Sequence, residues 1–380
     1  MYKEKALALS KKMGGKIEMK SKVPIETMHD LSIAYTPGVA EVCREIHNDI
    51  EKVYDYTAKR NTIAVITDGS AVLGLGNIGP EASLPVMEGK AALLKRFANV
   101  DAIPIALDTQ DTEEIIKTIE NLAPSFGGIN LEDISAPRCF EIEQRLSESL
   151  DIPVFHDDQY GTAIVVLAAT YNALELVGKD LNNSTIVVNG GGAAGIAIVK
   201  LFRRAGAKNI ILVDHYGIIS EDNPELEVRH KEIAKVTNSK NINGNLKDAL
   251  VGADIFIGVS VPSALNKNWI QGMNEKPIIF AMANPDPEIL PKDAKEGGAF
   301  IVGTGRSDFP NQINNVLAFP GIFRGALDMR ASKITIDMMI AAAQGLANAV
   351  SKDKLSPEYI IPEVFQPEVS HIVAQSIRDI

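Results

Sequence analysis

Hydrophobic and polar positions along this chain follow two alternating periods. Short β-branched runs at 62–67, 102–106, 128–131 and 153–155 read as strands. Between them, 85–97, 112–122 and 141–149 carry apolar residues three and four apart, the spacing of one helix face. The stretch 162–177 (TAIVVLAATYNALELV) is apolar almost all round, which predicts a helix buried between two units, with Gly178 as its C-cap. After the polar link 179–183 a second series begins, with strands at 185–188, 210–213, 255–259, 278–281 and 300–302. A last striped helix is expected at 334–350, packing back across the junction, and a docked helix after Pro357. Strands alternating with helices predict an α/β fold with parallel sheets. The expected division is an N-terminal parallel α/β domain over 1–160 and a Rossmann-type doubly wound domain over 161–380.

At 380 residues the chain is long enough for two such domains, at about 150 residues each. Hydrophobic residues at 46% and charged residues at 23% are ordinary for a globular protein and argue against disorder. A formal charge of −11 makes a poor general binder of nucleic acid or anionic membrane, because phosphates need clustered cations. No apolar run is read as approaching the roughly 18 residues of a membrane span. The start, MYKEKALALSKK, has charges on both sides of a very short apolar stretch, unlike a secretory signal. Cys43 and Cys139 lie far apart and outside any CxxC spacing, so a disulfide scaffold or thiolate zinc cluster is not expected. These bounds predict a cytoplasmic protein with small-molecule rather than nucleic-acid or membrane partners.

The strand at 185–188 runs into Asn189-Gly190-Gly191-Gly192-Ala193-Ala194-Gly195, after which 196–204 is helical. Gly190, Gly192 and Gly195 fit GxGxxG: a tight turn, a close approach for pyrophosphate, and close helix–strand packing. The pyrophosphate is expected against Ala193 and Ala194, where the helix N-terminus offers unpaired N–H groups and a favourable dipole. Asp214 ends the next strand 24 residues after Gly190, near the position of a carboxylate that binds the adenosine ribose. Its charge repels a 2′-phosphate and favours NAD, although His215 beside it softens that preference, so NAD and NADP both stay open. The plainer alternative is a doubly wound domain that binds no nucleotide.

Glu132-Asp133 directly follow one strand of the first half, and Asp157-Asp158 follow another. Carboxylates past the C-terminal ends of parallel strands lie on the rim where α/β proteins bind ligands. Several converging there without thiolates suit a hard divalent cation, Mg²⁺ or Mn²⁺. Either pair alone would more often be a helix cap or a solvated loop. His156 beside them reads as a supporting or packing side chain. Lys90, early in an otherwise apolar helix, is a surface lysine by pattern alone; near a metal its pKa would fall until it accepts protons near neutrality. Tyr35 precedes a Pro-Gly turn. Asn284 and Asn314-Asn315 follow late strands of the nucleotide half, on the side of the nicotinamide, although asparagines there often only shape turns.

Six motifs occur in order: Tyr35-Thr36-Pro37-Gly38-Val39-Ala40; Thr67-Asp68-Gly69 with Leu73-Gly74-Leu75-Gly76-Asn77-Ile78-Gly79; Gly89-Lys90; Asn130-Leu131-Glu132-Asp133; His156-Asp157-Asp158-Gln159 with Gly161-Thr162-Ala163; and Asn314-Asn315-Val316. Together they resemble a malic enzyme of the short prokaryotic kind over nearly the whole chain. The resemblance implies oxidative decarboxylation of (S)-malate to pyruvate and CO₂ with NAD or NADP and Mg²⁺ or Mn²⁺. It implies Glu132, Asp133 and Asp158 as metal ligands, Lys90 as general base, Tyr35 as general acid and Asp157 as the support of Lys90. Asn284 and Asn315 would lie by substrate and nicotinamide. It also implies a homodimer or an assembly of dimers.

Two positions depart from the pattern. Larger members carry an arginine near Thr67-Asp68-Gly69 where this chain has Ser70-Ala71, which leaves the holder of the malate C4 carboxylate open. Tyr160 stands where short relatives commonly have histidine. A malolactic enzyme, which releases lactate and retains its NAD, would use the same residues. A nucleotide-binding protein without catalysis is a third alternative, but it would have no need for Tyr35, Lys90 or the ligand set.

Overall fold

Four parallel strands, β1 (Thr62–Thr67), β2 (Asp101–Ala106), β3 (Gly128–Leu131) and β4 (Val154–His156), form the first sheet in the order β2-β1-β3-β4. The computed structural model that shows this describes residues 2–72 and 74–380; Leu73 of the glycine-rich run lies outside the described residues. The second sheet holds β5 (Thr185–Asn189), β6 (Asn209–Asp214), β7 (Gly217–Ile218), β8 (Ile255–Gly258), β9 (Ile278–Ala281) and β10 (Ile301–Thr304). Its order is β10-β9-β8-β5-β6-β7, parallel except for the short β7. In each sheet the winding reverses beside the first strand, and a crevice opens there beyond the strand C-termini. Thr67-Asp68 and Glu132-Asp133 end the two strands at the first reversal. The glycine loop ends β5 at the second.

One helix joins the two sheets. It spans Asp157–Val177, and fifteen of its residues are buried. It begins five residues before the apolar run because Asp157 and Asp158 fill its first turn, where carboxylates meet the positive end of the dipole. It is also long and apolar enough to cross a membrane, contrary to the expectation that no such run exists; 72% of that window is buried inside the protein. A helix apolar all round is a core helix when other elements cover it. Here the helices Ala193–Arg204 and Ile336–Asn348 pack against it, and one continuous core runs from β1 through this helix to β10. The helix Phe319–Asp328, unremarked in the sequence, returns from the second half and lies against Pro80–Ala98 of the first. The two halves thus close on one another with their ligand edges facing the same cleft.

Candidate active site

The oxygens of Glu132, Asp133 and Asp158 come within 4.8 Å of one another, although the residues leave two different strands. Backbone geometry brings them there. Asp133 adopts the left-handed conformation (φ 55°), rare for a side chain other than glycine or asparagine, and its amide donates to Asp158 Oδ2 at 2.8 Å. Asn130, within β3, donates to Glu132 Oε2 at 2.8 Å and fixes that carboxylate from below. The donor set is all oxygen, partly desolvated and without sulfur or a facing imidazole. It fits a hard divalent cation.

Lys90 projects from the helix Pro80–Ala98 into the same cluster. Its Nζ is 2.5 Å from Asp157 Oδ2 and 2.9 Å from Glu132 Oε1, and it sits 4.4 Å from the centre of the Phe319 ring. Burial alone would favour the neutral amine, but Asp157 and Glu132 outweigh it and hold the group above the ordinary lysine range. Lys90 is therefore charged against these carboxylates. Asn315 Nδ2 also donates to Asp157 Oδ2, at 2.5 Å, so Asp157 is gripped from both halves of the molecule. Its other oxygen is buried without a hydrogen-bond partner. Gly161 makes room for it, because a Cβ at that position would stand 1.9 Å from Asp157 Oδ1.

Across the cleft, Gly190 (φ 123°) turns the chain out of β5, where a Cβ would meet the Val259 carbonyl at 2.5 Å. The helix Ala193–Arg204 starts at Gly192 with no side-chain cap, which leaves its first N–H groups to an anion. Asp214 lies beneath the loop, held by His230: the ring Nε2 is 3.3 Å from Asp214 Oδ2 and 2.8 Å from the Gly191 carbonyl. A cavity of about 490 Å³ lined by Gly190, Asp214 and His215 opens on that side. On the other side a cavity of about 530 Å³ is lined jointly by Asp133, Asp158, Ala193, Ala194, Asn284 and Asn315. One cleft therefore joins the helix N-terminus to the carboxylates.

Tyr35 is the exception among the expected site residues. It ends the helix Met28–Ala34, is 66% exposed, and its hydroxyl makes no hydrogen bond to the described residues. Other groups lacked a sequence signal. Arg138 pairs with buried Asp68 at 2.9 Å and reaches Ser70 Oγ at 3.1 Å, directly behind the Ser70-Ala71 departure. Buried Glu288 accepts from the amides of Ser260 (2.8 Å) and Ala283 (3.0 Å), tying together the loops after β8 and β9 that wall the cavity. Tyr160 turns away from the carboxylates toward Glu143, at 3.5 Å. His156 is fully buried, with both ring nitrogens unpartnered; burial lowers its pKa, which makes it a neutral packing residue.

A Rossmann-type sheet whose glycine loop shares a cleft with buried carboxylates and a lysine defines a dinucleotide-dependent oxidoreductase. Comparison with known proteins narrows the class. Residues 159–380 match the NAD-binding domain of malic enzymes, and residues 14–115 and 109–147 match the malic enzyme N-terminal domain. The chain is 58% identical over 376 residues to the bifunctional malic/malolactic enzyme of Bacillus subtilis (strain 168), covering 99% of this chain and 92% of that one. It is 57% identical to the NAD-dependent malic enzyme of Geobacillus stearothermophilus, with 96% and 76% covered. The crystal structure of the NAD-dependent malic enzyme from Thermotoga maritima superposes with a TM-score of 0.95 at 53% identity, with 98% of each chain covered. This chain belongs to the malic enzyme family and is an NAD(P)-dependent oxidoreductase.

Proposed function

We propose that this enzyme oxidises (S)-malate and decarboxylates it to pyruvate and CO₂, reducing NAD(P) with the help of Mg²⁺ or Mn²⁺. The observation that carries the reading is the shared cavity, where Asp133 and Asp158 face Ala193, Ala194, Asn284 and Asn315. In this reading residues 1–160 hold metal and substrate, and 161–380 hold the dinucleotide. Glu132, Asp133 and Asp158 would hold the cation. Gly190, Gly192, Ala193, Ala194, Gly195 and Asp214 would hold the dinucleotide. Asp214, kept in place by His230, favours NAD. When bound, the cation stabilises negative charge developing on the substrate's C2 oxygen, and the nicotinamide accepts the C2 hydride.

The chain's own residues handle the protons. Lys90 takes the proton of the C2 hydroxyl. For that it must first be neutral, and a cation among the carboxylates competes for the charge that now holds its proton. Asp157 keeps the amine aimed at C2, and Asn315 keeps Asp157 from rotating. After CO₂ leaves, Tyr35 delivers a proton to C3. Asn284 borders the nicotinamide end and, with Asn315, orients the substrate.

The name of the Bacillus subtilis relative gives a second reading specific support. In it the same site returns the hydride and releases lactate. An assay with malate, NAD or NADP, and Mn²⁺ separates the two. Stoichiometric reduced dinucleotide and pyruvate are expected; lactate accumulating without net dinucleotide reduction would overturn the oxidative reading.

A further inference from the structure

Resting on Asp214 as the carboxylate that receives the adenosine ribose, we propose that buried His230 sets the choice between NAD and NADP by locking Asp214 to the glycine loop. The helix Val228–Ala234 carries the ring into the protein, where it is wholly buried. Its Nε2 stands 2.8 Å from the Gly191 carbonyl and 3.3 Å from Asp214 Oδ2. Both neighbours are acceptors, so Nε2 carries a hydrogen and donates to the two at once. Nδ1 is buried without a hydrogen-bond partner, and the Tyr216 ring stands edge-on at 5.9 Å between centroids. An apolar ring would suit those surroundings; the Nε2 hydrogen is what a histidine adds to them. The loop is shaped to the same contact. GxGxxG leaves its second position free, yet this chain has Gly191 there. A Cβ on Gly191 would lie 2.6 Å from both Asp214 Oδ2 and His230 Nε2. The extra glycine thus serves the lock rather than the pyrophosphate.

Both carboxylate oxygens of Asp214 are engaged, Oδ2 by His230 and Oδ1 by the His215 amide at 2.8 Å. A carboxylate has about four lone-pair sites, so acceptor capacity is left for ribose hydroxyls. Asp214 borders the cavity of about 490 Å³ that His230 itself does not line, so the histidine reaches a dinucleotide through Asp214. Opposing charge stands in the same wall: Lys247 lines the cavity and would meet a 2′-phosphate. With Asp214 locked, that phosphate faces a fixed negative charge, whereas a 2′-hydroxyl finds an acceptor already oriented. With the lock released, Asp214 is free to turn toward water and leaves Lys247 to the phosphate. The balance between the two dinucleotides is therefore set by one shared hydrogen.

His230→Leu removes the donor and keeps much of the bulk, while His230→Gln can place an amide N–H where Nε2 stands. Steady-state kinetics with malate and Mn²⁺, run with NAD and with NADP, read the preference. Fluorescence titration with NADH and NADPH reads binding without turnover. The leucine variant should lose about tenfold or more of the kcat/KM preference for NAD, through KM rather than kcat, and a similar factor in the NADH-to-NADPH affinity ratio. The glutamine variant should recover most of that loss. Asp214→Ala combined with His230→Leu should lose no more than Asp214→Ala alone, since both act through one carboxylate. His230→Asn, too short to reach, repeats the test should the leucine variant not fold. A merely structural histidine would lower the melting temperature and weaken both dinucleotides alike, so an unmoved ratio in a folded variant overturns the proposal. If Asp214→Ala also leaves the ratio unmoved, the ribose reading of Asp214 itself fails. That result is distinct from a shift with Asp214→Ala and none with His230→Leu, which sinks the lock alone.

Discussion

Lys90→Met removes the ammonium that stands between the buried carboxylates of Asp157 and Glu132, while keeping an unbranched side chain one atom shorter. Asp157 is fully buried and Glu132 is 4% exposed, so neither gains access to water when the ammonium goes. Removing one member of a buried ion pair costs about 3–5 kcal/mol, mostly from the charge left behind. A second argument bounds the figure. Each stranded carboxylate can escape by taking up a proton, which costs about 1.4 kcal/mol per pH unit above its ordinary pKa, 4.5 for the glutamate and 3.8 for the aspartate. At pH 7.5 that escape costs about 4–5 kcal/mol per group, and at pH 5 only about 1–2 kcal/mol. The loss of stability in Lys90→Met should therefore shrink from about 4 kcal/mol at pH 7.5 to about 1–2 kcal/mol at pH 5.

The sign follows from burial, which pushes both carboxyls up. The folded variant keeps protons that the unfolded chain has released, so its stability is fullest below about pH 4 and is lost as pH rises through the raised folded pKa values. Urea midpoints followed by circular dichroism in EDTA, at constant slope, read the difference at both pH values. Asp157→Asn added to Lys90→Met removes one stranded charge, and the double variant should recover about 1–3 kcal/mol at pH 7.5. A cost below about 1 kcal/mol at pH 7.5, or strict additivity in the cycle, would refute the view that Lys90, Asp157 and Glu132 form one electrostatic unit.

Further outcomes follow from neighbouring features. Mn²⁺ at a hundred times its dissociation constant should stabilise the wild type by about 2.7 kcal/mol, and Asp158→Asn should abolish both this shift and the calorimetric binding signal; an unchanged shift would place the cation elsewhere. Asp214→Ala should cut the kcat/KM preference for NAD over NADP by about tenfold or more, one charge-assisted contact's worth; an unmoved ratio would remove Asp214 from nucleotide selection. Burial raises Glu143 to about 7, opposed by Lys200 and Tyr160. Its folded pKa exceeds the unfolded one, so stability falls as pH rises from about 4.5 through 7, and Glu143→Gln should gain at most about 3 kcal/mol at pH 8 and little at pH 5; equal gains at both would disprove the shift.

How much of this was legible beforehand depends on which forces act locally. Strand positions followed from β-branched runs, since burial on both faces of a parallel sheet demands them; β1, β3 and β9 coincide with their predicted ranges. Boundaries slipped where polar residues begin an element. Asp157 and Asp158 start their helix because the dipole accepts them, although apolar periodicity begins only at Thr162. The two-residue β7 and the helix Phe319–Asp328 had no comparable pattern to declare them.

The candidate site divides the same way. The pairs Glu132-Asp133 and Asp157-Asp158 could be read from strand-end position, because sheet geometry places neighbouring strand ends side by side, whereas the choice of Glu132, Asp133 and Asp158 among them came from the family resemblance. The Asp157–Asn315 contact spans 158 positions and exists only because the two halves close on each other. Arg138 on Asp68 and His230 on Asp214 are of the same kind: neither charge pattern nor spacing links them, and only the packed fold does. Tyr35 marks the far limit of such reading. Its motif identifies the residue, yet the folded chain leaves it 66% exposed and apart from the residues that line the cleft, a placement that no local pattern around it declares.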